Sequence, residues 1–249
     1  MEYKVFLTSS VFYLFVEIIK AIFESGTFVI LGGVIIVYLL FKKHYEKSSY
    51  YLVTKIPYVT FYSDKGKYGE YLIYKYLKSY EKQGAKFLFN AYIPTNKNTT
   101  TEIDVIMICS KGIFVFESKN YSGWIYGNEN SVYWYQTLPM GRSGIRKQEF
   151  YNPIMQNQTH IKHLKVLVGE YVPYYSFVVF SERCELKSIN YSDKSVYVLY
   201  RDEIEAEISE IFSTTPINYL NENNINKIYQ KLYPFTQVDN EIKAKHIRG

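Results

Sequence analysis

Two apolar segments near the middle of the chain carry charged side chains that could support metal-dependent chemistry. The segment GIFVFESK, residues 112–119, is apolar until Glu117 and Lys119. Because side chains alternate along a strand, these two residues lie on the same face. The preceding apolar segment, TEIDVIMIC, carries Asp104. The spacing therefore places two carboxylates and one lysine on neighbouring predicted strands.

The turn between these strands decides whether the carboxylates meet. If residues 110–111 form a two-residue loop, Cys109 pairs with Gly112 and Asp104 lies opposite Glu117. Facing residues have Cβ atoms about 4.5–5.5 Å apart. A three-residue loop with Gly112 in a left-handed bulge would shift the register by one and send the carboxylates to opposite faces.

Carboxylates at that distance favour a hard divalent cation. Their mutual repulsion would raise one pKa unless a cation such as Mg²⁺ balanced it. Lys119 beside them could orient a water molecule or stabilise charge on a phosphate. The residues thus indicate metal-assisted phosphodiester hydrolysis. The simpler interpretation is that the charges only solvate the ends of the strands.

The elements that must position these residues alternate between helix and strand. The hydrophobic spacing predicts helices at residues 66–82, 152–168, 202–212 and 217–232. It predicts strands at 86–93, 102–109, 112–119, 176–180 and 195–199, a hairpin within 121–136 and a polar loop at 139–149. This order predicts an α/β fold with one mixed central sheet flanked by helices.

An apolar segment near the N-terminus predicts a membrane anchor at residues 1–44. Residues 25–41 lack charged side chains and would form a helix about 25 Å long, at the short end of a membrane span. The basic residues at 42–47 place that end in the cytoplasm. Residues 5–23 could form a second membrane segment or an interfacial helix, although Glu17 and Lys20 interrupt them.

Composition narrows the function only modestly. The chain has 249 residues, of which 47% are hydrophobic, so general disorder is excluded. Its two cysteines, Cys109 and Cys184, cannot form a disulfide framework or a paired zinc site, which agrees with a reducing compartment. The net charge of +5 is compatible with a polyanionic partner but does not require one.

An ordered set of motifs resembles a known family. Gly69-Glu70 opens a predicted helix, Ile103-Asp104 lies on a strand, and Glu117-x-Lys119-Asn120-Tyr121 follows. The set ends on the later helix with these polar residues: Asn152-Pro153, Gln156 and His160. In this order the motifs resemble the nuclease-related domain, NERD, a branch of the PD-(D/E)xK nuclease superfamily. The resemblance covers roughly residues 64–181.

The resemblance implies a restriction-endonuclease-like fold and a catalytic site. Glu70 would join Asp104 and Glu117 around Mg²⁺, or Mn²⁺ in its place. Lys119 would be the catalytic lysine and Gln156 a polar residue near the site. Ile103 stands where the family's pattern has a proline. This difference does not remove a metal ligand. Read without the resemblance, Glu70 is a carboxylate that favours the N-terminus of its helix.

Other residues suggest contacts to nucleic acid. A loop with two glycines contains Arg142, Arg146 and Lys147, which could contact phosphates or form an ordinary surface loop. His160, four residues after Gln156, would share its helical face and could also reach nucleic acid. Trp124 and Trp134 could stack on bases, although pairing across the hairpin is the simpler interpretation.

These observations predict a single-pass membrane protein whose nuclease-like domain lies in the cytoplasm and hydrolyses DNA. Residues 45–63 would be a Tyr-rich linker, part of it an edge strand, and residues 182–249 a strand–helix extension. The alternative is a non-catalytic, membrane-tethered module that binds nucleic acid or protein. If the chain is an enzyme, one cleft should bring together four residues: Glu70, Asp104, Glu117 and Lys119.

Overall fold

The chain divides into two compact units, Met1–Ser48 and Ser49–Gly249. A computed structural model describes residues 13–21, 26–95, 99–139, 141, 144–239 and 241–243.

The described part of the first unit consists mainly of two helices. Residues 13–21 form α1, and Thr27–Glu46 forms α2. Apolar side chains of α2 are exposed, for example Val29 at 79% and Leu40 at 63%. Phe28–Glu46 is long and apolar enough to cross a membrane, a criterion that a signal sequence also meets. Residues 1–12 and 22–25 lie outside the described part, so the suggested segment at 5–23 is covered only in part, and membrane crossing stays a prediction.

The second unit mixes helices and strands. Its helices are α3 (Ser49–Thr54), α4 (Tyr58–Ser63), α5 (Lys65–Leu77), α6 (Pro153–Val168), α7 (Ile204–Thr214) and α8 (Glu222–Leu232). Short 3₁₀ segments lie at Lys78–Gln83, Arg201–Glu203 and Tyr233–Thr236. The strands are β1 (Lys86–Pro94), β2 (Thr100–Cys109), β3 (Gly112–Lys119), β4 (Gly123–Asn128), β5 (Tyr133–Pro139), β6 (Ile145–Tyr151), β7 (Tyr174–Phe180), β8 (Cys184–Asn190) and β9 (Val196–Tyr200).

The larger sheet has five strands in the order β1-β2-β3-β7-β9. The first three strands are antiparallel, while β3, β7 and β9 are parallel. The β2–β3 turn has the two-residue register predicted from the sequence, with Cys109 paired to Gly112. Gly112 has φ of 134°, and a Cβ there would lie 2.5 Å from the Pro173 carbonyl oxygen, so only glycine fits this turn.

Helices cover both faces of this sheet. On one face, Ile113 and Val115 of β3 pack with Leu164 of α6 and Ile228 of α8 in a buried cluster. On the other face, the Phe114 ring of β3 contacts Phe212 of α7. Because β3 is apolar on both faces until Glu117, it is the buried centre of the sheet.

A second, smaller sheet has the order β6-β5-β4-β8, with β4 and β8 parallel and the other pairs antiparallel. Its inner face contributes Ile125 and Trp134 to a second buried cluster with Phe180 of β7. The outer face of this sheet carries Trp124, which is 39% exposed.

The structure is a mixed α/β fold with helices on its sheets, as expected, but it has two mixed sheets where one was predicted. Most of β6 lies within the predicted polar loop at 139–149; it is an exposed edge strand whose polar residues hide the usual alternation. Strand β8 was not expected either, because it is largely polar. The suggested edge strand within residues 45–63 is absent from the described structure, which has α3 and α4 there; Tyr50 and Phe61 of these helices are buried.

Candidate functional site

The end of β3 holds a buried polar network around Glu117, which is 2% exposed. Lys119 Nζ lies 2.7 Å from Glu117 Oε1 and also donates to Gln156 Oε1 at 3.2 Å. His160 Nε2 lies 3.1 Å from Glu117 Oε2, and its Nδ1 lies 2.7 Å from Thr101 Oγ1. Residues of β3 and α6 therefore meet at the Glu117 carboxylate, and Thr101 of β2 is linked to it through His160.

Helix α6 is held on the sheet by two buried asparagines. Asn152 caps its N-terminus, accepting from Ile154 N at 2.9 Å, as the Asn-Pro signal predicts. Asn157 Nδ2 donates to Val115 O at 2.9 Å and to Ser176 Oγ at 2.9 Å. These bonds fix the helical face that presents Gln156 and His160 to β3.

Asp104 lies where β2 and β3 stop pairing. The paired register ends at Val105 opposite Phe116, so Asp104 and Glu117 lie just beyond the last pair. The backbone N–H of Ser118 donates to Asp104 Oδ2 at 2.8 Å. The carboxylate thus accepts a bond from a strand amide just beyond the paired stretch, beside the Glu117 network.

The carboxyl groups of Asp104 and Glu117 have pKa shifts in opposite directions. Burial raises the pKa of Asp104 well above its ordinary value, and the charges of Glu117 and Glu70 raise it further. At Glu117 burial also raises the pKa, but Lys119 and His160 outweigh burial and the net shift is downward. Glu117 is therefore stabilised as an anion, whereas the surroundings of Asp104 favour its neutral, protonated form.

Glu70 of α5 is buried and has its own set of hydrogen-bond donors. It is 4% exposed and accepts from Asn90 Nδ2 at 2.7 Å, Lys67 Nζ at 3.1 Å and Tyr50 Oη at 3.0 Å. Burial raises the pKa of Glu70, with Lys67 acting against the shift. Its effect on the pKa of Asp104 shows that the two carboxylates interact electrostatically.

The close approach of α5 to the sheet depends on Gly69. A Cβ at this position would lie 2.9 Å from Ser118 Oγ and 3.1 Å from Asn120 Cβ. Ser118 points to the face opposite Glu117 because side chains alternate along β3. Helix α6 therefore covers Glu117, whereas α5, which carries Glu70, packs on the other face of β3.

The expected nucleic-acid contacts do not form one group in the structure. His160 is 2% exposed and its two ring nitrogens contact Glu117 and Thr101, so it differs from the expected surface contact. Arg146 and Lys147 are exposed residues of β6 in the smaller sheet. Arg142 lies outside the described residues.

Comparison with known proteins gives the family. A family profile described as "Nuclease-related domain" matches residues 65–181. An uncharacterized protein of Bacillus anthracis is 34% identical over 184 residues, which are 74% of this chain and 82% of that protein. The chain belongs to the nuclease-related domain family. No solved structure gives a significant match.

The nuclease-related domain begins one residue after Asp64, the cap of α5, and ends one residue after β7. It therefore includes every residue of the Glu117 network and Glu70. A cavity of about 760 Å³ elsewhere, beside α6 and lined by residues such as Ile161, Lys165 and Tyr174, contains none of the predicted site residues. Most of the residues that line this cavity also lie within the matched range, so it is the predicted site residues that distinguish the polar network from the cavity.

The donor set of the nuclease-related domain fits a hard divalent cation. Glu70, Asp104 and Glu117 offer carboxylate oxygens, the ligands that Mg²⁺ and Mn²⁺ prefer, and the raised pKa of Asp104 is what an added cation would relieve. In the described residues, however, no three His, Cys, Asp or Glu side chains are arranged to hold an ion. Protein donors occupy the oxygens of Glu70 and Glu117 instead, so metal binding would require these donors to be exchanged.

Sequence reasoning missed several polar residues of the site. Asn90 has φ of 49° and interrupts the β1–β2 pairing opposite Asp104, which lets its amide reach Glu70. Asn157 and Thr101 were also missed. A lone Asn in an apolar strand is a usable signal for a left-handed residue, but its partner on a distant helix has no local signature.

Proposed function

We propose that the chain is a membrane-anchored nuclease of the PD-(D/E)xK type, with a restriction-endonuclease-like core that hydrolyses DNA phosphodiester bonds in the presence of Mg²⁺ or Mn²⁺. The observation that carries the proposal is the convergence of Asp104, Glu117, Lys119 and Gln156 at the end of β3. Membership of the nuclease-related domain family supports the same reaction class.

The side chains of the network have distinct roles in this proposal. Glu70, Asp104 and Glu117 would hold the divalent ion, which would supply Lewis-acid polarisation of the scissile phosphate. Lys119 is the cation beside Glu117, and its ammonium would bind a phosphate oxygen as negative charge develops. Gln156 orients that ammonium through its 3.2 Å bond.

His160 and the surrounding core keep the reacting groups in place. The contact of 3.1 Å between His160 Nε2 and Glu117 Oε2 fixes one carboxylate oxygen and restricts rotation of the Glu117 side chain. The low exposure of both residues limits access of bulk water, which strengthens the electrostatic contacts in the network. Substrate would therefore meet a preorganised charge distribution.

One observation favours the alternative, a binding module without catalysis. Glu117 is paired with both Lys119 and His160, and the described residues contain no assembled metal group. A permanently paired Glu117 could not serve as a ligand. The two functions differ in one measurable property, which is cleavage that depends on a divalent cation.

The test of the proposal is a cleavage assay on the full chain in detergent micelles. Supercoiled plasmid and labelled oligonucleotides are incubated with Mg²⁺, with Mn²⁺, and with excess EDTA. We expect cleavage only with a divalent cation, because the carboxylates cannot approach a phosphate with their own charge unbalanced. Full activity in EDTA would exclude the mechanism, and binding without cleavage under all conditions would support the alternative.

The anchor is a separate part of the proposal, supported by the exposed apolar surface of α2 and the basic residues that follow it. A single span through residues 25–41 would place the nuclease-related domain in the cytoplasm. The full chain should stay in the membrane pellet after a carbonate wash, since apolar burial holds it there. A cysteine introduced at Lys47 should resist impermeant reagents in intact cells; labelling there would overturn the topology.

A further inference from the structure

The outward face of the smaller sheet carries a groove of about 340 Å³, which we call the aromatic groove. Its lining residues come from β4, β5 and β6: Trp124, Tyr126, Tyr135, Thr137, Ile145 and Lys147. The residue between the two β4 rings, Ile125, is fully buried in the inner cluster, so Trp124 and Tyr126 point outward. Three aromatic rings are therefore collected on one open face.

Cations accompany these rings. Lys147 Nζ lies 3.6 Å from the centroid of the Tyr135 ring, and Lys187 Nζ lies 5.4 Å from that of Trp124. Lys147 is the charged member of the groove lining, while Lys187 is ion-paired with Glu185 beside it. Flat apolar rings next to an exposed ammonium offer stacking surface for bases and a positive charge for phosphates.

We propose that the aromatic groove binds unpaired nucleotides of single-stranded nucleic acid, with bases on Trp124 and Tyr135 and a phosphate at Lys147. The choice of nucleic acid as the partner rests on the proposed function, and the groove adds the form of the substrate. Unpaired bases expose both ring faces, whereas bases within a duplex are stacked on each other. Single strands should therefore bind more tightly than duplexes.

The position of the groove in the chain supports a link to the Glu117 network. Trp124 follows Lys119 by five residues, which an extended chain spans in at most about 18 Å. Both belong to the same compact unit. A single strand that lies in the aromatic groove is therefore within a few nucleotides of the proposed catalytic lysine.

The two tryptophans allow a direct test, because Trp134 is fully buried and Trp124 is 39% exposed. The full chain in detergent micelles is titrated in EDTA with a 20-nucleotide oligo(dT), its oligo(U) counterpart and a blunt 20-base-pair duplex. We expect single strands to quench tryptophan fluorescence and to bind more tightly than the duplex. Trp124→Phe should retain binding and lose the quenching.

Alanine variants measure the stacking contribution. Trp124→Ala or Tyr135→Ala should weaken oligo(dT) binding between about 5-fold and 150-fold, the range for loss of one base–aromatic stack. Tyr171→Ala is the matched control, since Tyr171 is 62% exposed and lies outside the groove. Unchanged affinity in both groove variants would overturn the proposal.

Two further outcomes separate this inference from the others. If Trp124→Ala changes the sedimentation of the protein without affecting oligonucleotide binding, the groove is an interface with a second copy and the proposal is wrong. Binding in EDTA needs no cleavage, so a chain that binds but never cleaves loses the proposed nuclease function and keeps this site. A chain that cleaves without any fluorescence change loses only this site.

Discussion

The two sheets of the second unit differ in the exposure of their polar and aromatic groups, which are buried at the larger sheet and exposed at the smaller one. At the larger sheet, Glu117 and His160 are each 2% exposed and are bonded to each other. At the smaller sheet, Trp124 is 39% exposed and the Lys147 ammonium lies over the Tyr135 ring at the surface. Buried, mutually bonded groups suit the stabilisation of developing charge, whereas open rings and cations suit binding. Substitutions in the two sheets should therefore change different measured quantities.

The largest effect is expected from Glu117→Gln. The amide keeps the volume but removes the anion that pairs with Lys119 and would hold the divalent ion. Loss of several kcal/mol of transition-state stabilisation corresponds to a fall in cleavage rate of at least about 100-fold. The measurement is the initial rate on oligonucleotide substrate, with Glu210→Gln on the exposed side of α7 as control. An unchanged rate would remove Glu117 from the mechanism.

Lys119→Ala should affect turnover more than affinity. Lys119 Nζ is held by Glu117 and Gln156, so it is positioned for a charge that develops in the transition state. Its loss should lower the rate at saturating substrate by a larger factor than it raises the dissociation constant. Equal effects on both would mean that Lys119 only binds substrate. Lys119→Arg keeps the charge and tests whether its exact placement matters.

The central part of this arrangement was accessible from sequence because it depends on local rules. The two-residue turn at 110–111 was enough to give the β2–β3 register, with Cys109 paired to Gly112 and Val105 paired to Phe116. The cap at Asn152 was also readable from the Asn-Pro pair. Both depend on residues within a few positions of each other.

The remaining parts depend on contacts between distant residues. The bond between His160 and Thr101 joins positions 59 apart, so nothing near His160 predicts that it is buried. Strand β6 is exposed along most of its length and has no apolar face to reveal it. The face on which α5 packs follows from how closely Gly69 approaches Ser118, which is a tertiary property.

Asn157→Ala should reduce stability without directly removing a reacting group. Its amide donates to Val115 O and Ser176 Oγ, and both acceptors would lose their partner in the core. The expected cost is about 1–3 kcal/mol, toward the lower end because Asn157 Oδ1 has no hydrogen-bond partner among the residues that the structure describes. Chemical denaturation measures the change, with the exposed neighbour Gln158→Ala as control. Equal stabilities of the two variants would show that Asn157 does not hold α6.

The smallest effect is expected at the smaller sheet, from Lys147→Ala. If Lys147 contacts one phosphate of a single strand, its removal should reduce the slope of log affinity against log salt concentration by about 0.7. Affinity should fall only a few-fold, and cleavage at saturating substrate should not change, because Lys147 is exposed and outside the Glu117 network. Lys147→Arg should restore the slope, while Lys227→Ala on the exposed surface of α8 should leave it unaltered. If Lys147→Ala leaves the salt dependence of binding unchanged, Lys147 does not contact a phosphate. If it lowers cleavage at saturating substrate, binding and chemistry are not divided between the two sheets.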